Sequence, residues 1–141
     1  QRSYQNTFAY TEKEWVASAD VYFITIKDKS YDLKYILSLL NSKLYHNWLY
    51  FRGKRKGEML ELYLTPLSEI PIKEISSEKQ KPFIQLVNQI LLITRDNDYL
   101  DNPDKQAKVK RLEKQIDKLV YKLYDLTHKE IKIVEEFNKE K

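Results

Sequence analysis

Cysteine is missing altogether from the 141 residues. A disulfide framework, a thiolate metal centre and a cysteine nucleophile are excluded with it. Histidine occurs only at His46 and His128, too sparse a set for a zinc or iron site. Glycine occurs only at Gly53 and Gly57, which removes the glycine-rich loops that cradle phosphates, since those need several glycines in one turn. No apolar run approaches the roughly 18–20 residues of a membrane helix, and no signal-peptide pattern opens the chain. No membrane partner is expected, and cytoplasmic placement is. Gln1 stands first in place of methionine, so the sequence is expected to be a piece of a longer polypeptide.

What the chain does contain is enough apolar material for a core. Hydrophobic residues make up 42% and charged ones 33%, a balance that excludes wholesale disorder. The length suits one domain, or one domain with an appendage. A formal net charge of +4 is mildly basic and by itself a weak pointer to a polyanionic partner.

Periodicity divides the chain. The opening residues 1–7 read as a polar tail, and Phe8-Ala9-Tyr10 as a short strand. Residues 21–26 (Val-Tyr-Phe-Ile-Thr-Ile) are nearly all β-branched or aromatic, which predicts a strand buried on both faces. From Asp32 the spacing of Leu33, Ile36, Leu37, Leu40, Leu44, Trp48 and Phe51 becomes helical, with Trp48 and Phe51 expected in the core. Asn41-Ser42 interrupts it, because both side chains compete for backbone hydrogen bonds, so two abutting helices or one bent helix are predicted. The helix should stop at Arg52-Gly53. Leu60, Leu62 and Leu64 alternate as in a half-buried strand, and Thr65-Pro66 reads as a cap followed by a helical turn. Ile70-Pro71-Ile72 reads as an extended edge piece. Ser77 and Gln80 make a capping-box pattern for a further helix, with an irregular first turn at Pro82. After a polar connector over 96–104, Val109, Leu112, Ile116, Leu119, Leu123 and Leu126 form a heptad-like seam. Thr127 and Glu130 predict a last capped helix carrying Ile131, Val134 and Phe137.

The densest signal is the run 51–57, Phe-Arg-Gly-Lys-Arg-Lys-Gly, in which four of seven residues are cationic and none is acidic. Residues 27–57 carry a local net charge of +6, more than the +4 of the whole chain, so the remainder sums to −2. Charge is segregated. The glycines bracketing Lys54-Arg55-Lys56 predict a mobile basic loop aimed at an anion. Clustered cations of this kind suit nucleic acid, because each neutralised phosphate releases counterions. The competing reading is a solvated surface loop. Tyr45, Trp48, Tyr50 and Phe51 lie just upstream, where stacking on bases or insertion into a groove is open to them, as is plain packing.

No catalytic constellation emerges. Pro103-Asp104 with Glu130-Ile131-Lys132 superficially matches the metal-dependent nuclease pattern, but the acids fall in a connector and on a terminal helix rather than on converging strands. Asn102-Pro103-Asp104 lacks the second proline and the aromatic of the amino-methyltransferase motif.

Residues 32–42, ending in Leu40-Asn41-Ser42, followed by Leu67-Ser68-Glu69-Ile70-Pro71-Ile72 and then by 77–84 with Gln80, resemble in their order the target-recognition domains of restriction-modification systems. Lys73 stands where that pattern has a second proline. The run 116–127 narrows the likeness: it is similar to the ending of TaqI-like specificity domains of combined type II restriction and adenine-methyltransferase enzymes, where a glycine is common in place of Asp125. The resemblance implies a DNA-reading module, with catalytic domains of the parent chain N-terminal to Gln1. It implies S-adenosylmethionine as a cofactor of the parent and none in this segment.

These readings converge on an α/β or α+β fold: a body over 1–95 with a small mixed sheet and packed helices, the connector over 96–104, and a helical extension over 105–141. The expected function is sequence-specific recognition of double-stranded DNA by a non-catalytic module. The candidate DNA-binding residues are Arg52, Gly53, Lys54, Arg55, Lys56 and Gly57, with Lys43 and Tyr50 from the preceding helix. No catalytic residue and no metal ligand is assigned. The alternative is a protein-interaction module that docks another helix through the seam; a small nuclease is a third reading.

Overall fold

The start of the helical part follows from one carboxylate and one amide. In the computed structural model, the Asp32 side chain accepts from the Lys34 amide and caps α1, Leu33–Leu40. The structure describes residues 2–3, 5–18, 21–57 and 59–139, with only the backbone of Arg2 and Ser3. Gln1 and Tyr4 of the predicted tail and residues 140–141 of the predicted extension lie outside them, and Arg2–Ser3, expected in that tail, form a short strand instead. Gln80, expected to close a capping box on its own helix, instead joins two helices. Its carbonyl accepts from the Asp32 amide at 2.9 Å, and its nitrogen donates to the carbonyls of Ser30 and Ile75. The helix it belongs to, α4 (Ser77–Thr94), takes Ser76 as its cap and runs on through Pro82.

Asn41-Ser42 does break the helical run. Ser42 caps α2, Lys43–Arg52, by accepting from the Tyr45 amide. Asn41 clamps the preceding segment: it accepts from the Phe8 amide at 2.8 Å and donates to the Phe8 carbonyl at 2.9 Å. Asn6 adds bonds to the carbonyls of Leu40 and Ser42. Phe8 is thereby pinned as irregular backbone rather than a strand.

The sheet is small and antiparallel throughout, not mixed. Its order is β1 (Arg2–Ser3), β3 (Met59–Glu61), β2 (Lys54–Lys56). Residues 21–26 form no strand, and Tyr22, Phe23 and Ile24 are exposed. Strand propensity measures fit to a pleated surface, and among the described residues no strand pairs with this segment. The strand predicted from Leu60, Leu62 and Leu64 ends at Glu61, where the Tyr63 amide donates back to the Glu61 carbonyl and turns the chain away. Leu64 opens a short helix, α3 (Leu64–Ser68), in which Thr65 lies inside the first turn rather than at its cap.

Ile70-Pro71-Ile72, expected as an extended edge piece, is not a strand and pairs with none among the described residues; tyrosines hold it. The Tyr45 and Tyr124 hydroxyls both donate to the Pro71 carbonyl, and Tyr35 donates to the Lys73 carbonyl at 2.7 Å. Burial, reinforced by neighbouring tyrosines, pushes Tyr35 and Tyr45 far above the ordinary phenol value, so both stay donors. A phenol buries a large apolar body and still delivers one polar tip, which suits a groove floored by irregular backbone.

The connector region holds a 3-10 turn, Tyr99–Asp101, and α5 begins inside it, spanning Pro103–Leu123. Its buried stripe is Val109, Leu112, Ile116, Val120 and Tyr121, while Leu119 and Leu123 are only partly covered. That drift is what a straight 3.6-residue helix produces against a globular body, in place of a strict heptad. Ile116 and Val120 join Tyr35, Leu39, Tyr45, Phe83 and Val87 in the main core, so this chain's own α1, α2 and α4 cover the seam.

α5 closes with a Schellman motif: Leu126 donates to the Tyr121 carbonyl at 3.0 Å and Asp125 to Lys122 at 3.2 Å. Asp125 sits at φ 53°, in the left-handed region that favours glycine. The Thr127–Glu130 capping box forms as predicted, Glu130 accepting from both the Thr127 amide and hydroxyl at 2.7 Å. It starts α6, His128–Lys139. Glu130 is therefore a cap, far from a nuclease ligand in its chemistry.

α6 lies against α2 through a polar clamp. Lys43 Nζ is 2.5 Å from Glu135 and 4.0 Å from Asp117, and Tyr121 donates to Glu135 at 2.8 Å. Asn138 spends its amide nitrogen on Val134 and Asn47, so its oxygen accepts from His46 Nδ1 at 2.7 Å. The two carboxylates respond in opposite directions. Burial pushes Asp117 up to about 6, outweighing its bond from the Lys43 amide. Glu135 is also opposed by burial, but bonds from Lys43 and Tyr121 overcome this and hold it below its usual range.

Two outcomes are expected. Asp125→Gly should raise stability by about 0.5–1 kcal/mol, by relieving a left-handed non-glycine residue, read as a higher denaturant midpoint. For the clamp the signs differ. A raised folded-state value means the folded chain keeps the Asp117 proton longer than the unfolded chain, so stability from this group falls as pH rises from about 4 to 6, by an amount on the order of 3 kcal/mol. Asp117→Asn should gain on the wild type across that interval. Glu135, depressed when folded, stabilises above its unfolded value and loses that as pH falls, so Glu135→Gln should lose most at neutral pH. Urea titrations at several pH values measure both.

Candidate nucleic-acid interface

The basic run is positioned by the end of α2. Gly53 terminates the helix with its amide donating to the Leu49 carbonyl at 2.7 Å. A Cβ built at Gly53 would lie 2.4 Å from that same carbonyl oxygen, a backbone atom with no freedom to yield. Only glycine fits without displacing the backbone. Its ψ of 179° then sends the chain out in an extended direction as β2.

Lys54, Arg55 and Lys56 are therefore not a mobile loop. They form an edge strand paired antiparallel with β3, in the register Lys54 opposite Glu61, Arg55 opposite Leu60 and Lys56 opposite Met59. Between β2 and β3, Gly57 adopts φ 61°, the left-handed value that so short a hairpin link demands. The sequence signal of bracketing glycines was sound; their role is a helix stop and a turn.

Alternation then sorts the cations. Arg55 shares a face with Leu60, which is buried with Leu49 and Tyr50 between the sheet and α2. The Arg55 guanidinium lies 4.2 Å above the centre of the Tyr50 ring. Lys54 and Lys56 point to the opposite face, and the Lys54 amine sits 4.8 Å over the ring of Tyr63. These contacts orient the cations without consuming their charge, since a ring face attracts a cation but does not neutralise it. Arg52, Lys54, Arg55 and Lys56 are all exposed, and among the described residues none of them pairs with a carboxylate.

The predicted set does not assemble as a whole. Arg52, Gly53, Lys54, Arg55, Lys56 and Gly57 are brought together at the C-terminal end of α2. Tyr50 is buried there, as the platform under Arg55 rather than as a contact surface. Lys43 opens α2 at its other end, about 13 Å away along the axis, with its charge spent on Glu135 and Asp117. It belongs to the helix clamp.

Two residues near the site escaped the periodicity argument. Phe51, placed in the core by its helical spacing, is 67% exposed. Its register continues the stripe of α1, but the break at Asn41-Ser42 resets the phase, and the last turn of α2 projects beyond the body. Tyr63 escaped as a presumed strand residue. Among the described residues there is no group of three or more histidine, aspartate or glutamate side chains able to hold a metal, and no helix is long and apolar enough to cross a membrane.

No curated protein and no solved structure matches the chain. A family does: residues 1–72, which take in α1, α2 and the whole hairpin, match the TaqI-like C-terminal specificity domains. The Leu-Asn-Ser junction that carried the resemblance is, in atomic terms, the clamp on Phe8 and the cap of α2 that aims the cationic hairpin. The chain belongs to the family of TaqI-like C-terminal specificity domains.

Proposed function

We propose that this chain is a non-catalytic module that reads double-stranded DNA on behalf of a restriction-modification enzyme. The observation that carries the reading is the hairpin: four exposed cations at one end of α2, two of them lying over rings, with no carboxylate partner among the described residues. Membership in a specificity-domain family supports it. Exposed charge that the fold leaves unneutralised is available to phosphates, and its affinity comes from counterion release.

The two faces of β2 suggest a division of labour. Lys54 and Lys56 project together, about 6.8 Å apart along the strand, and act as point charges on successive phosphates. Arg55, its guanidinium 4.2 Å over the Tyr50 ring, presents a planar fork of donors suited to the acceptor edge of guanine in the major groove. Arg52 at the helix end adds a further cation. The partners are duplex DNA and the catalytic domains of the same enzyme. S-adenosylmethionine is the cofactor of the methyltransferase part and is not bound by this module. The site of action is the cytoplasm.

An exposed edge strand of lysine and arginine also protects a sheet against edge-to-edge pairing, and that alone would account for charge at β2. It would not account for orienting those charges over two rings. Gel-shift titration separates the accounts. Micromolar or tighter duplex binding is expected at about 50 mM salt, falling steeply as salt rises; no retardation there would overturn the DNA reading. Lys56→Gln should weaken binding evenly across sequences and reduce the salt slope by about one. Arg55→Ala should cost about 1–3 kcal/mol at one base position and flatten preference there, and Arg55→Lys should not restore it. Even loss on every sequence would make Arg55 a phosphate contact instead.

A further inference from the structure

We infer that Phe51 is an apolar wedge that stacks into a base step of the duplex, beside the cationic hairpin. This rests on the DNA reading above and adds to it a residue that charge alone does not identify.

The ring is held but not covered. Tyr50 meets it edge-on at 5.3 Å and 79°, and Phe137 of α6 lies 5.5 Å away at 44°, yet 67% of Phe51 remains exposed. Two rings therefore fix its direction while leaving a face open. The same Tyr50 ring carries Arg55 at 4.2 Å, so Phe51 and the Arg55 guanidinium are braced by one platform. Those two steps span at most about three base-pair rises of 3.4 Å, a separation over which one groove contact and one stacking contact fit the same site.

Charge complementarity decides what covers the ring. Arg52, Lys54, Arg55 and Lys56 follow Phe51 directly and carry no ion pair among the described residues. Ile133, by contrast, is exposed beside Lys132, which is paired with Glu136 at 3.6 Å. An exposed phenyl ring that shares its supporting ring with an unpaired guanidinium suits a partner whose surface alternates phosphate and flat, apolar faces. Proteins that bend DNA use such side chains to part base steps, and a stacked aromatic serves any base because every base has a π-face.

The test needs no knowledge of the recognised sequence. A mixed-sequence duplex of about 20 base pairs is compared with the same duplex carrying one central mismatch, whose stack is already loosened. The wild-type chain should bind the mismatched duplex several-fold more tightly. Phe51→Ala should abolish that preference and weaken binding about 5- to 100-fold, with the slope of affinity against salt unchanged because no charge is lost. Phe51→Trp should keep the preference, which separates loss of a ring from loss of fold. Equal binding of both duplexes by the wild type, or a preference that survives Phe51→Ala, overturns the wedge while leaving the DNA reading in place. Failure of the wild type to bind either duplex at about 50 mM salt overturns both, and assigns the ring to a protein-facing surface.

Discussion

The geometry of the basic hairpin depends on a steric constraint at one position. α2 must stop where the Leu49 carbonyl comes within 2.4 Å of any Cβ at residue 53, and it stops on a residue that has none. Because the chain leaves Gly53 extended, the next residues run out as a strand, and because Gly57 tolerates a left-handed backbone, they return at once as β3. Leu60 then lands beneath the sheet against Leu49 and Tyr50. That small core, distinct from the main one, makes a paired strand of what composition alone would describe as a basic loop.

Charge is distributed by the same logic. The carboxylates Asp117 and Glu135 are gathered on α5 and α6, where they tie Lys43 and fasten the terminal helix to α2. At the other end of α2 the cations meet ring faces instead. One helix thus spends a lysine on its own architecture at its first residue and leaves an arginine free at its last. Phe137 links the two regions: it belongs to the helix that the clamp secures, and it packs on Tyr50 and Phe51 beneath and beside the hairpin.

Where the sequence reading succeeded, local chemistry was sufficient. The break at Asn41-Ser42, the Thr127–Glu130 capping box and the stop at Gly53 each involve residues within a turn of one another. Where it failed, the missing partner lay far along the chain. Residues 21–26 have the composition of a strand but no strand beside them among the described residues, so Tyr22 and Phe23 stay exposed. Gln80 fits a local capping pattern, yet Asp32 and Ser30 claim its amide from nearly fifty residues away in sequence. The heptad-like spacing in α5 was real, but only the body it packs on could turn a seam toward Val120 and Tyr121.

By itself the sequence determined the main helices, the break at Asn41-Ser42, the Thr127–Glu130 cap, the helix stop at Gly53 and the concentration of positive charge in one segment, because each follows from neighbours a few residues apart. Tertiary structure decided which cations remain free. Lys43 and Arg52 open and close the same helix with the same charge, and only the placement of Asp117 and Glu135 beside its first turn neutralises the first and leaves the second to solvent. Coulomb attraction acts through space and not along the chain, so no spacing of residues could have announced it.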